Sequence, residues 1–89
     1  MTELRAAIDQ VDAALVSLLA QRADYIDQAV VLKKRDGLPA RIETRIEQVI
    51  EQVRTMALRD GFDADLAEDI WRRLIEWSIQ REERGLSGQ

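Results

Sequence analysis

Two cations, Arg22 and Lys33, stand among the apolar residues of the chain's first segment. From Leu4 onward, Ile8, Val11, Leu15, Leu18, Leu19, Ile26, Ala29 and Val30 recur at spacings of three and four, which is the pattern of one helical stripe. At about 100° per residue the stripe is roughly 120° wide, and Arg22 and Lys33 fall inside it about 20° apart and roughly three turns from each other. Taking an unpaired guanidinium or ammonium out of water costs several kcal/mol, so each cation must meet an anion. That anion is either an acidic side chain of a neighbouring helix or an acid brought in as a ligand. On the first reading the two cations snorkel or form internal ion pairs. On the second they line a binding site, and the helix by itself does not choose.

Three other places bear on the choice. Arg45 sits at the margin of the second apolar stripe, close in sequence to the loop that follows Lys33, and can reach the same space; taken alone it reads as a solvated surface arginine. Ser78 and Glu82 lie one turn apart on the side of the last helix that carries Trp71 and Ile75, so a hydroxyl and a carboxyl project from a largely apolar face. The bland reading of Ser78 is a bond to the carbonyl one turn back, and that of Glu82 a salt bridge near a helix end. Arg5 borders the first stripe roughly 25 Å up the helix from Arg22, too far for one small ligand to touch both on one chain. It reads as an ordinary first-turn residue unless two first helices pair antiparallel, which brings Arg5 of one copy near Arg22 of the other.

The elements that must position these residues are all helices. Thr2 is a candidate cap, and the first helix is expected over about residues 3–35, ended by Asp36-Gly37-Leu38-Pro39. The second is expected over about residues 41–59, with Ile42, Ile46, Val49, Ile50, Val53 and Ala57 inward, closed by Asp60-Gly61. Asp63 caps a third over about residues 64–84, whose Leu66, Ile70, Trp71, Leu74, Ile75 and Trp77 occupy more than half its circumference and so predict cover on several sides. Residues 85–89 read as a small, polar, frayed tail. The first helix is roughly 50 Å long, whereas a globule of this chain length is roughly 30 Å across. Its far end must carry its leucines and valines into water or lie against another copy of the chain, and the second costs much less.

Composition narrows the chemistry. The 89 residues suffice for one domain, expected to span 1–89, and 46% hydrophobic with 34% charged residues describes a folded, helix-rich chain rather than a disordered one. There is neither histidine nor cysteine, which leaves no disulfide, no thiol nucleophile, no Ser-His-Asp device and no zinc site of the usual ligand types. The net charge of −4 disfavours nucleic acid and anionic membranes as partners. No apolar run approaches the length of a spanning helix, and the acidic N-terminal segment does not resemble a secretory leader, so a cytoplasmic location is expected.

The pattern Leu4-Arg5, Ile8-Asp9, Asp12, Leu15, Leu18, Arg22, then Lys33, Arg45 and Ser78 resembles the all-helical chorismate mutase family over nearly the whole chain. The resemblance implies an intertwined homodimer of three-helix chains with two shared active sites and no cofactor. It implies that Arg22 and Arg5 of the partner subunit hold the two carboxylates of a small dicarboxylate substrate, with Ser78 assisting at one of them. Lys33 would donate to the ether oxygen of the enolpyruvyl group, Glu82 would contact that same oxygen, and Arg45 would order the ring side. A carboxyl serves that oxygen only when protonated, so activity is expected to rise toward acidic pH.

One departure from the pattern concerns the ring. Members of the family often have glutamate after the second-helix arginine and an aspartate a few residues earlier, where this chain has Ile46 and Ile42. Relatives with an apolar residue there include isochorismate pyruvate lyases and 4-amino-4-deoxychorismate mutases, and the Leu74-Ile75-Glu76-Trp77 segment is similar to the lyase branch. Glu43 is a candidate to replace the missing acids. The implied reaction is the pericyclic rearrangement of chorismate to prephenate, the nearer alternative is the lyase reaction, and the farther one is a non-catalytic helical dimerisation module whose cations merely pair with Asp and Glu.

Overall fold

A computed structural model describes residues 1–88, and among them every regular element is an α-helix. α1 runs Thr2–Asp36, α2 Glu43–Arg59 and α3 Ala64–Gly88. α1 ends where glycine supplies a left-handed residue: Gly37 has φ 68° and its N–H bonds back to the Lys33 carbonyl. Gly61, at φ 74°, does the same service for the turn between α2 and α3. Asp63 caps α3 as its position predicts, its Oδ1 accepting from the backbone N–H groups of Asp65 at 2.9 Å and Leu66 at 3.0 Å.

Two boundary expectations are corrected. Thr2 is the first helical residue of α1 rather than its cap; Met1 holds the cap position with no side-chain bond. The segment expected to fray continues α3 through Gly88, Gln89 lying outside the described residues, and within it Gly85 lies close against α1. A Cβ built on Gly85 would stand 2.9 Å from Cγ1 of Val30, so the missing side chain is what lets the helices meet. Lys34 Nζ donates to the Gly85 carbonyl at 3.3 Å, tying down the same turn.

α3 is the middle helix and packs against both α1 and α2. Ala40, Ile50, Ile75 and Ile79 form one buried cluster, with Ile46, Val49, Trp71 and Leu86 half-buried around it. Val53, Ala57, Ala64 and Ala67 form a second toward the α2–α3 turn. The core is therefore a seam between α2 and α3, and α1 contributes no buried residue. The face of α3 that carries Leu66, Ile70 and Trp77 remains 44–47% exposed, so one chain covers this helix on fewer sides than its apolar content predicts.

The length of α1 has the expected consequence. The longest dimension is 51 Å, and Leu4, Ile8, Val11, Leu15 and Leu18 are each more than half exposed. Only the C-terminal half of the helix, from Arg22 to Lys33, carries half-buried residues, and that half walls the site described below.

The Val30–Gly85 contact yields a direct test. Gly85→Val should lower the unfolding free energy, read from denaturant titration, by about 1–3 kcal/mol through overpacking. Adding Val30→Ala to the same chain should restore part of that loss. No change in either protein would mean that α1 and α3 do not meet here.

Candidate active site

The three helices enclose a cavity of about 260 Å³. From α1 it is lined by Arg22, Ile26, Ala29 and Lys33; from the α1–α2 connection by Ala40 and Ile42; from α2 by Arg45, Ile46 and Val49; and from α3 by Ile75, Ser78, Ile79 and Glu82. The i, i+3, i+4 spacing explains both sets: residues 22, 26, 29 and 33 share one face of α1, and residues 75, 78, 79 and 82 share one face of α3. Five of the six residues expected to form a site meet here. The sixth, Arg5, is exposed in the first turn of α1 and does not touch the cavity of its own chain.

The charges do not balance. Arg22, Lys33 and Arg45 bring three positive charges and Glu82 one negative, an excess of two within one small cavity. Lys33 is the satisfied cation. Its Nζ donates to Glu82 Oε1 at 2.5 Å and to the Ala40 carbonyl at 2.9 Å, with the lysine and glutamate side chains 19% and 7% exposed. Two of its three N–H donors are thus engaged by the protein, and Lys33 also lines the cavity. Here the reading of internal pairing holds: Glu82 is the acceptor that Lys33 meets, one of only two buried polar side chains among the described residues.

Arg22 is the cation without a counter-ion. Among the described residues no carboxylate lies within ion-pair distance of it; its Nη1 donates instead to Ser78 Oγ at 2.8 Å. Burial and then the neighbouring Arg45 guanidinium push its proton affinity down from the ordinary arginine value, and Glu82 only partly opposes them. An arginine does not shed its proton under such conditions, so the mismatch is an unmet demand for an anion. Ser78 passes this demand along rather than meeting it. Its hydroxyl donates to the Leu74 carbonyl at 2.8 Å, the bond expected of a small helical residue, and offers Arg22 a lone pair.

Arg45 Nη1 donates to Gln48 Oε1 at 2.8 Å, one turn along α2, so it borders the cavity as an exposed residue held by its own helix. The ring-side expectation is corrected in one respect. Glu43 does not line the cavity; the α2 side presents Ile42, Ile46 and Val49, and no acidic group there replaces the expected pair. Two features escaped the reading of the sequence. The Ala40 carbonyl carries no residue-type signal, although the Gly37–Pro39 turn, which folds the chain back toward Lys33, hints at it. Ile79 lies one residue past Ser78 and belongs to the same 3.6-residue stripe as Ile75, so the periodicity contained it.

Cations and hydroxyls in an apolar cavity can hold acids and steady negative charge without a nucleophile. One family matches over a span that contains every residue lining the cavity: chorismate mutase type II, over residues 4–83, and the chain belongs to that family. The chain is 37% identical over 82 residues to the T-protein of Enterobacter agglomerans and 33% identical over 82 residues to that of Haemophilus influenzae, in each case covering 92% of this chain. It spans 22% of the length of those T-proteins. It is also 29% identical over 80 residues to the isochorismate pyruvate lyase of Pseudomonas aeruginosa, covering 89% of this chain and 77% of that protein. No solved structure matches significantly.

Because Lys33 holds a buried carboxylate, its removal should cost stability as well as any function. Lys33→Ala should lower the unfolding free energy by about 3–5 kcal/mol, the cost of stranding a buried partner. Lys33→Ala with Glu82→Gln, which leaves no charge to strand, should lose markedly less. Equal losses in the single and double variants would show that the two side chains are not paired.

Proposed function

We propose that the chain is a chorismate mutase that rearranges chorismate to prephenate. The observation that carries this reading is Arg22, a half-buried guanidinium with no carboxylate partner among the described residues, in a cavity with two positive charges in excess. Chorismate is a dianion, and its two carboxylates supply that missing charge. The reaction breaks a C–O bond as a C–C bond forms, with no proton transfer and no electrons from outside. Its catalysis therefore needs only positioning and charge stabilisation.

In this reading Arg22 takes one carboxylate in a forked pair, supported by the Ser78 hydroxyl. Arg5 of the partner subunit takes the other. That assignment requires a homodimer, which the exposed Leu4–Leu18 stripe supports, since a second copy covers it at the least cost. The third Lys33 donor meets the ether oxygen as it gains negative charge, and Glu82 with the Ala40 carbonyl holds the ammonium in place for that bond. Arg45 adds positive potential at the ring side.

A second reading has its own observation. Ile42 and Ile46 leave the α2 wall without an acceptor for a ring hydroxyl, and the Pseudomonas relative is named for a different pericyclic reaction, elimination of pyruvate from isochorismate. The same clamp and the same lysine serve both.

Incubating the purified protein with chorismate and, separately, with isochorismate decides between them. Prephenate from the first is the expected product; salicylate and pyruvate from the second alone would transfer the assignment to the lyase; turnover of neither would overturn both. In the Glu82→Gln background, which removes the stability penalty, Lys33→Ala should lower the rate a further hundred- to thousandfold, about the cost of deleting one oxyanion donor.

A further inference from the structure

The site's two bonds between α1 and α3 are Arg22 to Ser78 and Lys33 to Glu82. Both use groups that an entering dianion competes for. Besides the single Lys34–Gly85 carbonyl bond at the far end, one more α1–α3 link stands outside the cavity, and it lies between the site's two bonds in sequence on both helices. Arg81 Nε donates to Asp27 Oδ1 at 2.7 Å and its Nη2 to Asp27 Oδ2 at 2.9 Å, a two-pronged pair, while its Cζ lies 5.3 Å from the centre of the Trp77 ring. Asp27 lies between Arg22 and Lys33 on α1, and Arg81 lies between Ser78 and Glu82 on α3. Neither lines the cavity.

We propose that Arg81 is a positioning residue: its forked bond to Asp27 pins α3 in register against α1, so that Ser78 and Glu82 keep their places while the site's own cross-helix bonds are shared with substrate. The inference rests on the reading of the cavity as a dianion site. The fork fixes direction as well as distance, which a single bond does not, and the Trp77 ring limits how the guanidinium can turn. Hydrogen bonding from Arg81 holds the Asp27 carboxyl below the usual carboxylate range, so the pair stays charged through neutrality. The two side chains are 38% and 49% exposed, and exposed pairs contribute little to global stability. Their loss should consequently register in the geometry of the site more than in the stability of the fold. A displacement on the order of 1 Å is enough to cost catalysis tenfold or more.

The experiment compares the parent protein with Arg81→Ala, Arg81→Lys and the reversed pair Asp27→Arg with Arg81→Asp, measuring kcat and KM on the substrate the parent turns over, the denaturant midpoint, and amide exchange along α3. Arg81→Ala should lose about tenfold in kcat with a smaller change in KM. Its midpoint should barely move, and its exchange should quicken around residues 78–86. The lysine variant, with charge but no fork, should fall between, and the reversed pair should recover most of the activity. Parental kcat in Arg81→Ala overturns the proposal, as does an activity loss that follows the stability loss and is not recovered by reversal. Should the parent turn over neither candidate substrate, the reading of the cavity has failed. The pin is then judged by exchange alone: unchanged exchange of residues 78–86 in Arg81→Ala overturns it, and selective quickening upholds it.

Discussion

A guanidinium held half out of water, with no carboxylate beside it among the described residues, organises this structure. Arg22 stands on the inner face of α1 beside a second cation, Arg45, and what the protein offers it is a serine oxygen. Its neighbour Lys33, on the same face, receives a buried glutamate and a backbone carbonyl. The contrast matters because both pairings could have been internal. A fold selected only for stability would place an acid near Arg22, or an apolar residue in its stead, since buried ion pairs seldom exceed the stability of well-packed hydrophobic residues. The cavity instead keeps two uncompensated positive charges among isoleucines and alanines, an arrangement that becomes favourable when a dianion enters.

The helices follow from the same requirement. A site with walls on α1 and α3 needs those helices close and in register, and three features supply this: the missing side chain at Gly85, the forked Asp27–Arg81 pair on the outside, and the Lys33 ammonium that bonds α3 and the α1–α2 connection together. α2 closes the cavity through its own apolar seam with α3. The outer half of α1 takes no part in this packing within one chain, and its leucines and valines remain exposed along a 51 Å molecule. The length of α1 thus links Arg5, the one expected site residue that lies outside the cavity, to the second copy that the proposed function requires.

Much of this was legible in the sequence, and the rest was not for identifiable reasons. The apolar stripe of α1, with Arg22 and Lys33 inside it, is written in residue spacing, because helical periodicity is local. So are the Gly37 stop and the Asp63 cap. The pairing of Lys33 with Glu82 is not local: the two residues are 49 positions apart, and their meeting depends on the register between two helices, which no spacing within either helix encodes. Glu43 failed as a cavity residue for the same reason, its side of α2 being set by how α2 turns against α3. The C-terminal segment reads as a frayed tail from its small, polar residues, and nothing local shows that Gly85 lies against Val30 of α1. Family resemblance supplied the roles of Ser78 and Glu82; their residue types alone allowed a helical back-bond and a terminal salt bridge, and Ser78 makes the first of these in addition to meeting Arg22.

The unpaired charge can be tested without any chemistry. Calorimetric titration of the protein with a cyclic dicarboxylic acid, and with the matching monoacid, reads the cavity's demand for two negative charges directly, and Arg22→Met removes one of the two cations in excess while keeping a long side chain. The diacid should bind the parent more tightly than the monoacid, and Arg22→Met should weaken diacid binding about ten- to a hundredfold, the value of a hydrogen bond to a charged group. Equal affinity for the two acids, or undiminished diacid binding in Arg22→Met, would contradict the assignment of this cavity to a dianion.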